Sequence, residues 1–287
     1  YERLGDEDGQ TRVLTRRLDA EGGNDTAALY RLCDLYLKKP ETVDEACATL
    51  ERVLPLERDE ARFLATLVAA SDKWPKNQAL VDLYERITRV PGKERELVDA
   101  LMRRWSQGTA GSAPAREAIQ LAQSLPDVPL AETLLRRFLE DPTDDPAVRA
   151  WALCELAGYL AAAGDMSEAV LLKKEAAEIS EPEAARKLLF EVAQLAMEKL
   201  GDMHLATSTY EELHEREPAD RDAWQPLLVA YRQMSEPEKL AELIGEVQEY
   251  VDDESERMRL RFERVKIRME RMGLGDEALP ELQEIVN

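Results

Sequence analysis

The dipeptide Gly-Asp recurs in this chain at a fixed spacing, and this recurrence limits the fold more than any other feature. Its two interior copies, at 164–165 and 201–202, lie 37 residues apart. Each copy is followed, at the same distance, by a small residue, Ala169 in one case and Ala206 in the other. A period of this length is typical of proteins that stack one small structural unit many times.

Apolar residues recur at spacings of three and four within the same units. The sets that share this pattern are Trp224, Leu227, Leu228 and Tyr231; Leu29, Leu32, Cys33 and Tyr36; and Leu153, Leu156, Ala157 and Leu160. Residues at these spacings lie on one face of an α-helix. The surrounding stretches consist largely of Ala, Leu, Glu, Arg, Lys and Gln, which favour helices. The sequence therefore predicts amphipathic helices throughout.

These motifs resemble the tetratricopeptide repeat (TPR) family, whose pattern is W-x2-L-G-x2-Y, then A-x3-F, then P, over about 34 residues. Ala206, Tyr210 and Pro218 supply the second half of the pattern. Departures occur at Lys173, where the family has an aromatic residue, and at Leu240, where it has a small one. The resemblance covers nearly the whole chain and is clearest over 150–287. It implies an all-α, right-handed α-solenoid (superhelix) of TPR-like antiparallel helix pairs.

The small-residue position of each unit serves as a ruler along the chain. It falls at Gln10, Ala46, Ala79, Ala131, Ala169, Ala206, Leu240 and Ala278. Two helices for each of these eight positions predict about 16 helices. The step from Ala79 to Ala131 is 52 residues, too long for one unit and too short for two. We therefore predict an extra helix there, and its candidates are 94–107 and 114–124.

The stretch GTAGSA, residues 108–113, has the composition of a linker. We predict degenerate TPR-like repeats over 1–107, a linker at 108–113 and further TPR-like repeats over 114–287. One continuous solenoid is the alternative. The patterns Thr42-x-x-Glu45, Ser180-x-x-Glu183 and Ser235-x-x-Glu238 predict capping boxes at three helix starts.

Both ends of the sequence fall within a repeat unit. The opening residues, YERLGD, match the end of a first helix and its corner, and the closing residues stop inside a second helix. Half a unit leaves an apolar helix face without its neighbour. We expect this sequence to be a fragment of a longer protein.

Composition limits the classes of partner. The formal net charge is −21, which disfavours nucleic acid and anionic membranes and favours basic partners or simple solubility. The three cysteines, Cys33, Cys47 and Cys154, are too few and too far apart for a disulfide framework. With no signal peptide and no apolar stretch long enough to cross a membrane, we expect a cytoplasmic protein without membrane insertion.

The sequence contains no recognisable catalytic, cofactor or metal motif. The two histidines, His204 and His214, are ten residues apart and lie near no cysteine, so their spacing does not predict a metal site. Gly108-x-x-Gly111 lacks the Gly-Lys-Ser/Thr that completes a phosphate-binding loop. We therefore predict a protein that is not an enzyme and carries no cofactor and no metal.

The TPR resemblance implies a protein–protein interaction scaffold that binds a peptide or partner helix in a concave groove. Some TPR proteins hold a C-terminal carboxylate with Lys and Asn of successive first helices. The matching positions here contain neither residue: they are Cys154, Gly158, Glu191, Leu195, Gln225 and Val229. A structural spacer or oligomerisation module, with self-association, is the first alternative, and a regulatory arm of an enzyme is the second.

One basic segment stands out in this acidic chain, ERMRLRFERVKIRMERM at 256–272. As a helix it presents an apolar stripe of Met258, Phe262, Val265, Met269 and Met272. Beside it runs an arginine stripe, defined as Arg257, Arg261, Arg264, Arg268 and Arg271. We predict that the arginine stripe binds an acidic peptide or helix, because arginine binds carboxylates through two parallel hydrogen bonds. The alternatives are pairing with acids of the preceding repeat, such as Glu242, Glu246 and Glu249, and a face that is simply solvated.

Overall fold

The computed structural model describes residues 6–20, 22–141 and 145–286, apart from the side chains of Val128 and Val286. Sixteen α-helices follow one another in this described part of the chain. They are α1 (Glu7–Ala20), α2 (Thr26–Tyr36), α3 (Val43–Val53), α4 (Glu60–Lys73), α5 (Gln78–Thr88), α6 (Glu94–Ser106), α7 (Ala113–Ser124), α8 (Val128–Glu140), α9 (Pro146–Ala163), α10 (Met166–Glu178), α11 (Pro182–Leu195), α12 (Met203–Arg216), α13 (Arg221–Met234), α14 (Pro237–Val247), α15 (Glu254–Glu270) and α16 (Gly275–Val286). Short 3-10 turns at Pro40–Thr42 and Gln248–Tyr250, and a π turn at Ala196–Leu200, adjoin α3, α14 and α11.

The Gly-Asp dipeptide forms the corner between two paired helices. Gly164 and Gly201 have left-handed backbone conformations, with φ of 95° and 67°, and each ends one helical segment. The next residue begins the second helix: the carboxylates of Asp165 and Asp202 accept hydrogen bonds from backbone N–H groups of the first turn. A glycine adopts this conformation at little steric cost, and an aspartate satisfies an unpaired helical donor. The matching phrase at the start of the chain lies mostly outside the described residues.

Side-chain caps occur at many helix starts, but not at the three where the sequence predicted capping boxes, α3, α11 and α14. Among the described residues, side chains accept first-turn N–H groups at nine helix starts: Asp6, Asp25, Asp59, Asn77, Asp145, Asp165, Asp202, Asp220 and Asp253. Thr42 instead donates its hydroxyl to the carbonyl of Tyr36. Ser235 ends α13 rather than beginning α14. The prediction of three capping boxes was therefore wrong.

Consecutive helices pack against each other, and the small-residue ruler marks where they touch. Ala46, Ala131, Ala169, Ala206 and Ala278 are completely buried, and Leu240 is nearly so, whereas Gln10 and Ala79 are half-buried. An alanine at such a contact lets two helices approach closely. The predicted class, an all-α solenoid of TPR-like helix pairs, is confirmed.

Ion pairs reproduce the repeat period on the surface. Many of them join residues 31 to 35 positions apart, including Lys38–Glu7, Lys93–Glu60, Arg103–Asp72, Arg95–Asp127, Arg136–Glu168, Arg186–Asp220, Arg221–Glu256 and Arg232–Glu263. Each links similar positions of neighbouring helix pairs. Exposed pairs of this kind contribute little stability one by one. Their common spacing shows that the helix pairs stack in a regular register.

The chain divides into two compact units, Tyr1–Leu134 and Leu135–Asn287, and the division falls inside α8. The core of unit 1 is built around Leu29, Leu50, Phe63, Leu67 and Leu80. The main core of unit 2 is built around Leu189, Trp224, Leu227, Ile244 and Val247. Each unit buries a core of its own.

The extra helix predicted between Ala79 and Ala131 is present, and both candidate segments are helical. Helices α6 and α7 begin and end within one residue of the predicted 94–107 and 114–124. They pack against each other within unit 1. Their connection is short, and its residues 108–111 are exposed. The linker boundary at 108–113 stays a prediction, which proteolysis can test.

Limited proteolysis is expected to cut first between Gly108 and Ser112. The connection is exposed, and its two glycines leave the backbone free to enter a protease site. Mass spectrometry of the earliest fragments measures the cut. First cleavage within 150–280 contradicts a boundary at this connection.

Candidate functional site

Helix α15, which carries the arginine stripe, repeats the register of α13 with a shift of 37 residues. The buried set of α13 is Trp224, Leu227, Leu228 and Tyr231. The residues 37 positions later are Arg261, Arg264, Val265 and Arg268. Val265 is buried like its counterpart, which supports this register. Three arginines of α15 therefore occupy positions where α13 has core residues.

These three arginines lie against α16 and pair with its carboxylates. Arg261 donates to Glu284 at 3.2 Å, Arg264 to Glu281 at 3.1 Å, and Arg268 to Glu281 and Glu277 at 3.4 Å each. The arginine side chains are only 26%, 26% and 21% exposed. Helix α16 is thus an acidic helix held on the arginine stripe within the chain itself.

A glycine makes room for the central arginine. The guanidinium of Arg264 lies so close to Gly245 of α14 that an added Cβ would be 3.2 Å from Cζ. Arg264 therefore reaches between α14 and α16. Its Nε is buried and has no hydrogen-bond partner among the described residues.

The two ends of the arginine stripe lie outside this arrangement. Arg257 donates to the backbone carbonyl of Asp252 at 3.4 Å. Arg271 lines a small cleft of about 210 Å³ together with Glu236 and Glu263. Both side chains are exposed.

The acids that pair with the stripe are not those proposed as the alternative. The candidates were Glu242, Glu246 and Glu249 of the preceding repeat, but the arginines contact α16 instead. Glu246 contacts His214, with 3.2 Å between Oε2 and Nε2. The reason is geometric: the arginine face of α15 is rotated toward its own partner helix.

The apolar stripe predicted as the core face of α15 is for the most part not buried. Only Val265 is, whereas Phe262 is 52% exposed. The residues that join the core are Leu260, which is buried, and Ile267, which packs against it. The sequence contained a signal that α15 is rotated about its axis in this way. The 37-residue shift from α13 places arginine where α13 has the core residues Trp224, Leu227 and Tyr231.

Phe262 is the centre of an exposed apolar surface on α15. Met258 and Met269, four residues before it and seven after it, lie on the same helix face and are half-buried. Arg259 and Lys266 flank this surface, and both are exposed. Neither makes an ion pair with any described residue. We call these five residues the Phe262 face.

A concave surface lies in unit 1, where α3 and α5 end and α4 begins. Its volume is about 600 Å³, and its apolar lining consists of Leu54, Phe63, Leu64, Ile87 and Val90. Leu54 and Val90 are 41% and 45% exposed, although both are large aliphatic side chains. We call this surface the Leu54–Val90 cleft.

Five charged residues line the Leu54–Val90 cleft, and four of them are already engaged. Arg86 pairs with Glu51, and Lys93 pairs with Glu60. Glu57 accepts backbone hydrogen bonds from Asp59 and Arg58, which hold its pKa below the usual value for a glutamate. Only Arg58 has a side chain with no ion pair to a described residue.

The helix periodicity did not predict this cleft, because its exposed residues come from helix ends and connections. A weak signal is visible afterwards. Leu54 and Val90 each follow the end of a helix and directly precede a proline, Pro55 or Pro91. Proline prevents the helix from continuing, so an aliphatic residue is left where the chain turns away.

An acidic cleft of about 260 Å³ lies between α12 and α14 in unit 2. There Tyr231 and Lys239 both donate to Glu211, at 2.6 and 2.8 Å. Burial raises the pKa of Glu211, but these two donors outweigh it and hold the pKa below its ordinary value. His214 is largely buried and contacts Glu246. The arrangement is explained by ion pairing between the two helices.

The cysteines are protonated packing residues. Burial raises the pKa of Cys33 to about 12 and that of Cys47 to about 11. Cys154 is half-buried, and burial raises its pKa as well. At neutral pH these thiols are not thiolates, which is the form that acts as a nucleophile.

Across the described ranges, no group of three or more His, Cys, Asp or Glu side chains is arranged to hold a metal ion. None of the described helices combines the length and the apolar character needed to cross a membrane.

Neither a protein-family model nor a curated protein matches the sequence. Among solved structures, the chain is similar to yeast Tom70, with 13% identity, a TM-score of 0.32, and coverage of 96% of this chain and 61% of that one. The chain thus spans about three fifths of the Tom70 chain.

Two further solved structures are similar at the same level. BtubC (BKLC) from P. vanneervenii has 16% identity, a TM-score of 0.32, and coverage of 77% of this chain and 89% of that one. The TPR domain of P58(IPK) has 15% identity, a TM-score of 0.30, and coverage of 99% of this chain and 79% of that one.

Proposed function

We propose that this chain is a non-catalytic protein–protein interaction scaffold whose Phe262 face binds an acidic amphipathic helix of a partner protein. One observation supports this most directly: a half-exposed phenylalanine between two unpaired cations, in a chain of net charge −21. A partner that covers Phe262 removes apolar area from water, and its carboxylates pair with Arg259 and Lys266. The three free cysteines favour a reducing location such as the cytoplasm.

The position of the Phe262 face supports a role in binding. The 37-residue shift places Phe262 and Lys266 at the positions of Gln225 and Val229 in α13. In the TPR family these are first-helix positions that line the concave groove. Gln225 and Val229 are exposed as well. The exposure of all four residues is therefore consistent with a groove-lining role for Phe262 and Lys266.

The arginine stripe contributes to the same site in a different way. Arg261, Arg264 and Arg268 hold α16 and so set the position of α15. Direct binding of a partner by the arginine stripe remains a proposal, and it requires the partner's carboxylates to replace those of α16 at these three residues. The ends of the stripe, Arg257 and Arg271, are exposed and can meet a partner without that exchange.

The test uses a labelled amphipathic helical peptide of about 20 residues with a leucine stripe and glutamates beside it. We expect fluorescence anisotropy to show binding to the chain that weakens as salt rises. Phe262→Glu and the double variant Arg259→Glu/Lys266→Glu should each weaken binding by about tenfold or more. Leu171→Glu is the matched control, because Leu171 is 63% exposed on α10.

Two results contradict the proposal. One is equal binding of a peptide in which lysine replaces glutamate. The other is unchanged affinity in the Phe262 variant together with an unchanged circular dichroism spectrum. The control should bind within about twofold of the original chain, since surface changes away from a site have small effects.

Self-association is the second candidate function, because Leu279 of α16 is also exposed and adds apolar surface at the same helix pair. In this case sedimentation shows a dimer that Phe262→Glu dissociates. Arg259 and Lys266 of two copies repel each other, which favours an acidic partner over a second copy.

A further inference from the structure

We infer that the Leu54–Val90 cleft in unit 1 is a second peptide-binding site, which takes one bulky apolar side chain of a partner protein with a carboxylate next to it. The site is independent of the Phe262 face, because it lies in the other compact unit and shares no residue with it. A volume of about 600 Å³ is within the range of pockets that hold ligands.

The apolar lining supports an apolar anchor. Unit 1 has three exposed large hydrophobic side chains among its described residues, Val13, Leu54 and Val90. Two of the three face this one cleft. Beneath them lie Leu64 and Ile87, which are half-buried, and Phe63, which belongs to the core. A Leu or Phe side chain that enters the cleft contacts Leu64 and Ile87 at its base, and it covers the exposed Leu54 and Val90 at its edge.

The charges of the cleft determine which charged group the ligand carries next to its apolar anchor. The carboxylates in the lining are held in place, Glu57 by backbone N–H groups and Glu60 by Lys93. Arg58 is the cation that no described residue neutralises. A ligand carboxylate beside the apolar anchor pairs with Arg58. A ligand cation is disfavoured, because Glu60 already pairs with Lys93, and the second oxygen of Glu57 is buried with Arg62 at 4.0 Å.

The form of the cleft favours a protein segment over a small enclosed ligand. Leu54 and Val90 remain nearly half exposed, so the cleft is open along its edge. An open surface covers one side of an occupant and leaves the other side in water. A peptide satisfies this condition, because residues on either side of the anchor stay solvated.

The test uses the whole chain and a labelled peptide of about nine residues with one central Phe next to two Glu, which is too short to form a stable helix. Fluorescence anisotropy should show binding. We expect Val90→Glu and Arg58→Glu each to weaken it by about tenfold or more. The matched controls are Val13→Glu and Arg16→Glu on α1, which are exposed in the same unit and should have no effect.

The outcomes separate this site from the Phe262 face. Phe262→Glu should leave affinity for the short peptide unchanged, so loss of binding in that variant assigns the peptide to unit 2 and overturns the inference. Equal binding after Phe→Ala or Glu→Lys changes in the peptide also overturns it. So does no binding up to about 1 mM peptide. A dimer of the chain that Val90→Glu dissociates shows that a second copy is the occupant instead.

Discussion

Replacing Trp224 with alanine is expected to lower the free energy of unfolding by about 3–5 kcal/mol. Trp224 is 1% exposed and is the largest of the completely buried side chains. It lies in the main core of unit 2, so its removal leaves a cavity that neighbouring helices only partly fill. Chemical denaturation followed by circular dichroism measures the change.

The control for Trp224 is Val229→Ala in the same helix. Val229 is 40% exposed, so its truncation should change the free energy of unfolding by no more than about 0.5 kcal/mol. Equal stability losses at the two positions would show that helix propensity, and not burial, dominates in α13. The TPR-like register used for α15 would then lose its basis.

Reversing Arg261, Arg264 and Arg268 to glutamate together is expected to detach α16. The change places three carboxylates opposite Glu277, Glu281 and Glu284, in a contact where the arginines are only about a quarter exposed. We expect a cost of roughly 3 kcal/mol, most of it from Arg264 and Glu281, because this pair is largely buried and its reversal leaves Glu281 without a cation. Glu277 and Glu284 are mostly exposed, so their pairs contribute less. Hydrogen exchange should show loss of backbone protection in α16 before the rest of unit 2.

A charge swap and a control distinguish this explanation from a general effect of added negative charge. Combining the reversal with Glu277→Lys, Glu281→Lys and Glu284→Lys should restore the protection of α16 from exchange, because opposite charges then face each other again. Arg257→Glu/Arg271→Glu, which alters the two ends of the arginine stripe, should leave α16 protected. Intact protection of α16 in the triple variant shows that these ion pairs do not hold it.

Local features that depend on neighbouring residues could be predicted from the sequence. The Gly-Asp corners, the burial of Ala169 and Ala206 and the extra helix between Ala79 and Ala131 all follow from spacing and composition, and the structure confirms them. The capping boxes failed for a local reason as well. Proline favours the first helical position, so Pro182 and Pro237 place the caps at Glu181 and Glu236, one residue after the predicted serines.

The sequence alone determined that this chain stacks helix pairs, and that the five residues of the arginine stripe share one helix face. Only the tertiary structure decided which way that face points. A helical period relates residues to each other but leaves the rotation of the helix about its axis undefined. Burial of Leu260 against the preceding helices, with Gly245 leaving space for Arg264, sets that rotation. The same rotation turns three arginines toward α16 and leaves Phe262 exposed, because one helix cannot bury both faces against the same neighbours.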